Sequence, residues 1–178
     1  YVGTGSSASR GPARLWVTTD DGTNWAERTA GLPNRTITSI AVDAANPTTA
    51  YVAVSGFDES TPSAPGHIFK TTNGGTSWMN VSGSLPNAPA NAIVVDPADG
   101  QLVYVATDVG VFKSDTGGST WGTLSTGLPN GVISDLVPRT SDEKFDSDIR
   151  ASPYRRSERG ACRSRGGWTA RASSRGAS

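Results

Sequence analysis

The chain has one cysteine, one histidine and one methionine in 178 residues. Cys162 has no partner for an internal disulfide, so the fold must hold by burial and hydrogen bonding. A zinc site needs several Cys or His ligands at short spacing, and His67 and Cys162 stand far apart, so no metal is expected. No apolar run approaches the roughly 18 residues of a membrane-spanning helix. No window of about a dozen residues before position 139 carries a helical apolar stripe free of Gly or Pro. No glycine-rich loop follows a strand and opens a helix, which leaves nothing to cradle a phosphate, and no cofactor is expected. Formal net charge is zero, so the chain is not basic throughout.

What the chain does have is turns, with 21 Gly and 11 Pro, and an internal repeat. Repetition sets architecture before any single element is assigned. One turn occurs three times: Thr18-Thr19-Asp20-Asp21-Gly22-Thr23-Asn24-Trp25, Thr71-Thr72-Asn73-Gly74-Gly75-Thr76-Ser77-Trp78 and Ser114-Asp115-Thr116-Gly117-Gly118-Ser119-Thr120-Trp121. A short apolar run precedes each copy. A Leu-Pro-Asn follows each, at Leu32-Pro33-Asn34, Leu85-Pro86-Asn87 and Leu128-Pro129-Asn130. Trp25 to Trp78 is 53 residues and Trp78 to Trp121 is 43, the surplus lying in a polar, turn-rich insertion at 56–66. A period near 43 residues suits a four-stranded propeller blade and also some helical repeats.

Local composition separates the two. The segments between turns are short, β-branched and bounded by Gly, Pro, Asn and Asp, as strands are. One unit is predicted as strands at Ile37–Val42, Ala50–Val54, 67–71 and 78–81, and the next as 92–95, 102–106, 111–114 and 121–124. Segments 1–4, 15–18 and 25–28 match the last three strands of a preceding unit, and 132–137 matches the first strand of a following one. The expected fold class is all-β: a partial β-propeller of four-stranded antiparallel blades over residues 1–138, with a disordered tail at 139–178.

The turn has a physical rationale. Asp20 or Asn73, at its third position, can accept backbone N–H groups a few residues on. Gly22, Gly75 and Gly118 allow backbone angles closed to other residues. Trp25, Trp78 and Trp121 supply apolar area and an N–H for a nearby carbonyl. In the third copy Thr116 takes the acidic position and Asp115 comes one residue early, so that turn is expected to be looser or rebuilt. Together Thr18, Asp20, Gly22, Trp25, Thr71, Asn73, Gly75, Trp78, Ser114, Thr116, Gly118 and Trp121 form the structural set. They resemble the Asp-box, Ser/Thr-x-Asp-x-Gly-x-Thr-Trp, of the BNR-repeat β-propellers. That group includes sialidases, family 74 xyloglucanases, sortilin-type receptors and photosystem II assembly factors. The resemblance covers residues 1–138 and implies a propeller fold; the family's activities are too varied to imply one.

A closed propeller typically has about 4–8 blades, and the repeat here supplies about three. A fragment of a longer protein, completed by its remaining blades, is therefore expected. Extracellular or cell-envelope placement follows from the resemblance to secreted bacterial members. Residues 1–138 carry a charge of −5 and residues 139–178 a charge of +5. The Arg/Ser/Gly-rich run from Arg150 to Ser178 breaks the repeat abruptly, as translation in a second reading frame would. A disordered terminus and a basic tail are the alternatives, and nucleic-acid binding is not expected.

Chemistry is sparse. Asp43 and Asp96 stand at equivalent positions before a recurrent loop, which points to a turn role. Arg10, Arg14, Arg28 and Arg35 match no substrate-gripping set, and no catalytic residue is assigned. The best lead is the insertion, which one unit has and the next lacks. It carries Phe57, Asp58 and Glu59, a mixture suited to contacting a sugar or a peptide. The expected role is a scaffold or a carbohydrate- or protein-binding module. The alternatives are part of a glycoside hydrolase and an assembly chaperone.

Overall fold

The computed structural model describes residues 1–7, 11–124 and 131–137, with the backbone of a short strand at Ala170–Ala172. Leu128, Pro129, Asn130, Cys162 and the rest of the tail lie outside the described residues. Strands β1 (Val2–Gly3), β2 (Leu15–Val17) and β3 (Ala26–Glu27) form a first sheet in chain order. Strands β4 (Ile37–Val42), β5 (Ala50–Val54), β6 (Ile68–Thr71) and β7 (Met79–Asn80) form a second. Strands β8 (Ala90–Val95), β9 (Val103–Thr107), β10 (Gly110–Ser114) and β11 (Gly122–Thr123) form a third. Strand β12 (Ile133–Leu136) pairs with β13 (Ala170–Ala172), so one stretch of the region expected to be disordered is a paired strand. Every pairing is antiparallel. Among the described residues the only helical turn is a 3-10 turn at Asp58–Ser60. No helix there is long and apolar enough to cross a membrane.

The fourth strands are shorter than the sequence suggests, because each Trp belongs to its turn and not to the strand. Beyond the ladder a hydroxyl takes over the pairing. Leu15 N donates to Thr29 Oγ1 (2.9 Å), and Ile68 N donates to Ser82 Oγ (3.0 Å).

The sheets stack face to face, and alternation along β5 sends its side chains to both neighbours. Val52 and Val54 pack with Leu15 and Val17 of the first sheet, while Tyr51 and Ala53 pack with Val103 and Val105 of the third. Strand β9 repeats this, its Tyr104 and Ala106 meeting Ile133 and Leu136. Strands β5 and β9 are thus buried along their whole length, which is why they read as unbroken apolar runs. Each fully buried Val contributes about 1.5–3 kcal/mol of transfer free energy.

Innermost strands carry matching irregularities. The register shifts between Ile37 and Ser39 in β4 and between Ala90 and Ala92 in β8. The displaced residue points to the next sheet: Thr38 Oγ1 donates to Ala90 O (2.6 Å), and Asn91 Nδ2 donates to Ile133 O (3.0 Å). A bulge frees a side chain from the ladder, and here it becomes an inter-sheet tie.

Candidate functional site

The three recurrent turns each lie between the last two strands of their sheets and share one bonding scheme. Gly22 N, Gly75 N and Gly118 N donate to Thr18 Oγ1, Thr71 Oγ1 and Ser114 Oγ, each at 2.9 Å. Asn24 N donates to Asp20 Oδ1 (2.9 Å), Ser77 N to Asn73 Oδ1 (3.0 Å) and Thr120 N to Thr116 Oγ1 (3.0 Å). The third turn is therefore not looser. A threonine hydroxyl presents one acceptor where the carboxylate or carboxamide does, and one acceptor closes the turn. Bonds from Asn24 and Thr18 hold the Asp20 carboxyl below its usual range.

The tryptophans divide. Trp78 Nε1 donates to Arg28 O and Trp121 Nε1 to Val81 O, both at 2.8 Å and both in the preceding sheet. Trp25 Nε1 donates to Gly22 O of its own turn (3.0 Å), and the residue is 45% exposed. Lys70 Nζ and Tyr51 Oη both donate to Gly117 O, at 3.1 and 3.2 Å, so this end of the stack is a set of structural ties.

The insertion lies at the opposite end of the stack, where β5 turns into β6 and β9 into β10. Asp43 and Asp96 are not there. Asp43 Oδ1 accepts Ala45 N (2.9 Å) and Asp96 Oδ1 accepts Ala98 N (2.8 Å), so both serve their own loops. The insertion separates its three candidate residues. Phe57 is 49% exposed. Glu59 is exposed, and both its carboxylate oxygens accept from Asn87 Nδ2, at 3.1 and 3.2 Å. Asp58 turns back toward the sheet. Its Oδ1 accepts Gly66 N (2.7 Å) and lies 3.5 Å from both Arg35 Nη2 and His67 Nε2.

Arg35, His67 and Asn87 complete this cluster, and sequence reasoning missed their role. Arg35 is 4% exposed and its guanidinium donates to Gly56 O and Gly66 O, spanning the two ends of the insertion. Asn87 Oδ1 accepts Asp58 N at 2.9 Å and faces His67 Nε2 at 3.2 Å. In the first sheet Asn34 Oδ1 likewise accepts Ala13 N (3.0 Å). Asn34 and Asn87 thus latch the loop joining β1 to β2 and the loop joining β5 to β6, each within its own sheet. The usable signal was that Arg35 stands directly after one Leu-Pro-Asn where Ala88 follows the next.

The electrostatics follow from burial. His67 Nε2 faces two oxygens and so carries the ring proton, while buried Nδ1 has no partner. A second proton would sit on Nδ1 with no acceptor, in a desolvated site beside Arg35. Desolvation, opposed by Asp58 and assisted by Arg35, pushes the His67 pKa below its usual 6.5. Desolvation also lowers that of Arg35, against the pull of Asp58. Among the described residues no group of three or more His, Cys, Asp or Glu could hold a metal ion.

Antiparallel four-stranded sheets stacked face to face, each tied to the last by a tryptophan, define a β-propeller-like fold. The chain is similar to YCF48, solved bound to D1 peptide, with a TM-score of 0.52, 22% identity, and coverage of 75% of this chain and 39% of that one. It is also similar to the GH74 enzyme of Niastella koreensis, with a TM-score of 0.52, 20% identity, and coverage of 71% of this chain and 21% of that one. The chain thus spans well under half the length of either protein. At these identities the likeness is one of fold. No protein-family model matches the chain, and no curated protein does.

Proposed function

We propose that this chain is part of an Asp-box propeller that works as a ligand-binding scaffold, with the insertion between β5 and β6 as its contact element. The carrying observation is the inward clamp on Asp58. It engages a buried arginine, a buried histidine and a backbone N–H to fix a loop that the neighbouring sheet does without. A loop held this firmly keeps Phe57 exposed at low ordering cost when a ligand binds. The Asp58 carboxylate is engaged by Arg35 and His67 and is not offered to a substrate, which favours binding over glycoside hydrolysis. A peptide bound to a protein of similar fold is consistent with a protein partner. The open, intra-turn arrangement of Trp25 supports a further sheet packing there from the same parent protein. Extracellular or envelope placement of that parent belongs to the same reading.

The test presents the purified chain and its Phe57→Ala variant to an oligosaccharide array and a peptide array. Retention of some ligand class by the wild type, weakened about tenfold or more in the variant, is expected. Retention of nothing in either class, or equal retention by both proteins, would overturn the reading.

A further inference from the structure

The partner class can be narrowed further, on the reading that this end of the stack is a contact surface. Three large apolar side chains stand exposed there: Phe57 at 49%, Val109 at 53% and Val132 at 41%. They come from three successive sheets, and short polar bonds join their supports. Asp58 N donates to Asn87 Oδ1 (2.9 Å), and Asp108 N donates to Pro89 O (3.3 Å). Asn91 Nδ2 then reaches both Asp108 Oδ1 (2.9 Å) and Ile133 O (3.0 Å). Phe57, Val109 and Val132 therefore follow one another along a rim made by the loops between second and third strands and the links between sheets.

The charge on this rim is one-sided. Its described residues include Asp58, Glu59 and Asp108; of the cations on its loops and links, Arg35 is buried and engages Asp58, Arg14 is paired with Glu27, and Arg28 lies against Gly75 at the other end. His67 is buried, and its pKa is lowered. Lys70 and Lys113 come from the third strands of their sheets, β6 and β10, and Lys70 reaches the opposite end to bond Gly117 O. The geometry points to an extended segment of a partner protein in which apolar residues alternate with Lys or Arg. Apolar side chains of that segment meet Phe57, Val109 and Val132, and its cations meet Glu59 and Asp108. Two features argue for such an occupant: an exposed apolar row on ordered supports, and carboxylates beside it with no unpaired counter-charge among the described residues of the rim.

The test uses the full chain and three synthetic ten-residue peptides, alternating Leu/Arg, Leu/Glu and Ser/Arg, followed by fluorescence anisotropy. The Leu/Arg peptide is expected to bind. Phe57→Ala and Val109→Ser should each weaken it about tenfold, and Glu59→Gln about threefold with a smaller salt dependence. All three side chains are exposed, so the variants should fold, and unchanged far-UV circular dichroism checks this. Equal binding of Ser/Arg would show charge attraction alone and overturn the proposal. Preference for Leu/Glu, or for an oligosaccharide competed by the same variants, would overturn the cationic partner and leave the binding scaffold standing. Failure of every probe together with self-association lost in Val109→Ser would identify a second copy as the occupant and overturn it as well.

Discussion

Trp78 and Trp121 reach out of their own turns to a carbonyl of the preceding sheet, whereas Trp25 bonds within its turn. The same residue type at the same phase therefore does unequal work. Trp78→Ala should cost about 2–3 kcal/mol, less than the ~3–5 kcal/mol of a fully buried aromatic because Trp78 is partly exposed. Trp25→Ala should cost under about 1 kcal/mol, and urea unfolding of the two variants measures the difference. Asp58→Ala leaves Arg35 buried without its carboxylate and should cost about 1–2 kcal/mol, moderated by the partial exposure of Asp58. A double-mutant cycle with Arg35→Met isolates the coupling. His67 binds its proton less readily folded than unfolded, so its contribution is complete above its usual 6.5 and declines as pH falls below that value. Stability should drop as pH falls below about 6.5, and His67→Gln should flatten this slope. Parallel slopes for wild type and variant would contradict the assignment.

At the scale of an element, the turn is decided by backbone angles as much as by side chains. Gly74 and Gly75 both have positive φ, +66° and +81°. A methyl on Gly74 would touch nothing within 4 Å, whereas one on Gly75 would meet Arg28 Cβ at 3.0 Å. Gly74→Ala should therefore cost only the left-handed backbone term of about 1–2 kcal/mol. Gly75→Ala should cost more, since Arg28 belongs to the sheet the turn packs against. Thermal unfolding of the pair checks the order. Thr116→Asn should change stability by less than about 0.5 kcal/mol, because the threonine hydroxyl already accepts the closing bond.

Over the whole molecule, burial is concentrated in β5 and β9, with packed faces on both sides. Strand β3 is exposed throughout, and β1 is exposed at Val2. Amide exchange should be slowest in β5 and β9 and fastest in β1 and β3, which native-state exchange reads residue by residue. Uniform protection across the sheets would contradict a stack whose stability comes from its inter-sheet faces.

The amino-acid sequence by itself determined the all-β class, the antiparallel four-stranded sheets and the turn positions. Each rests on local signals repeated at one phase: a β-branched run, a turn-closing acceptor with glycine, a tryptophan, and Leu-Pro-Asn. Repetition also flagged the insertion as dispensable to the scaffold. Tertiary structure decided what those residues touch. The sequence could not show that Asn87 latches a loop 29 residues earlier, or that Arg35, Asp58 and His67 meet. Nor could it show that Asp58 faces inward while Phe57 is exposed. Those contacts join residues distant in the chain, and burial and charge pairing fix them only once the sheets have stacked.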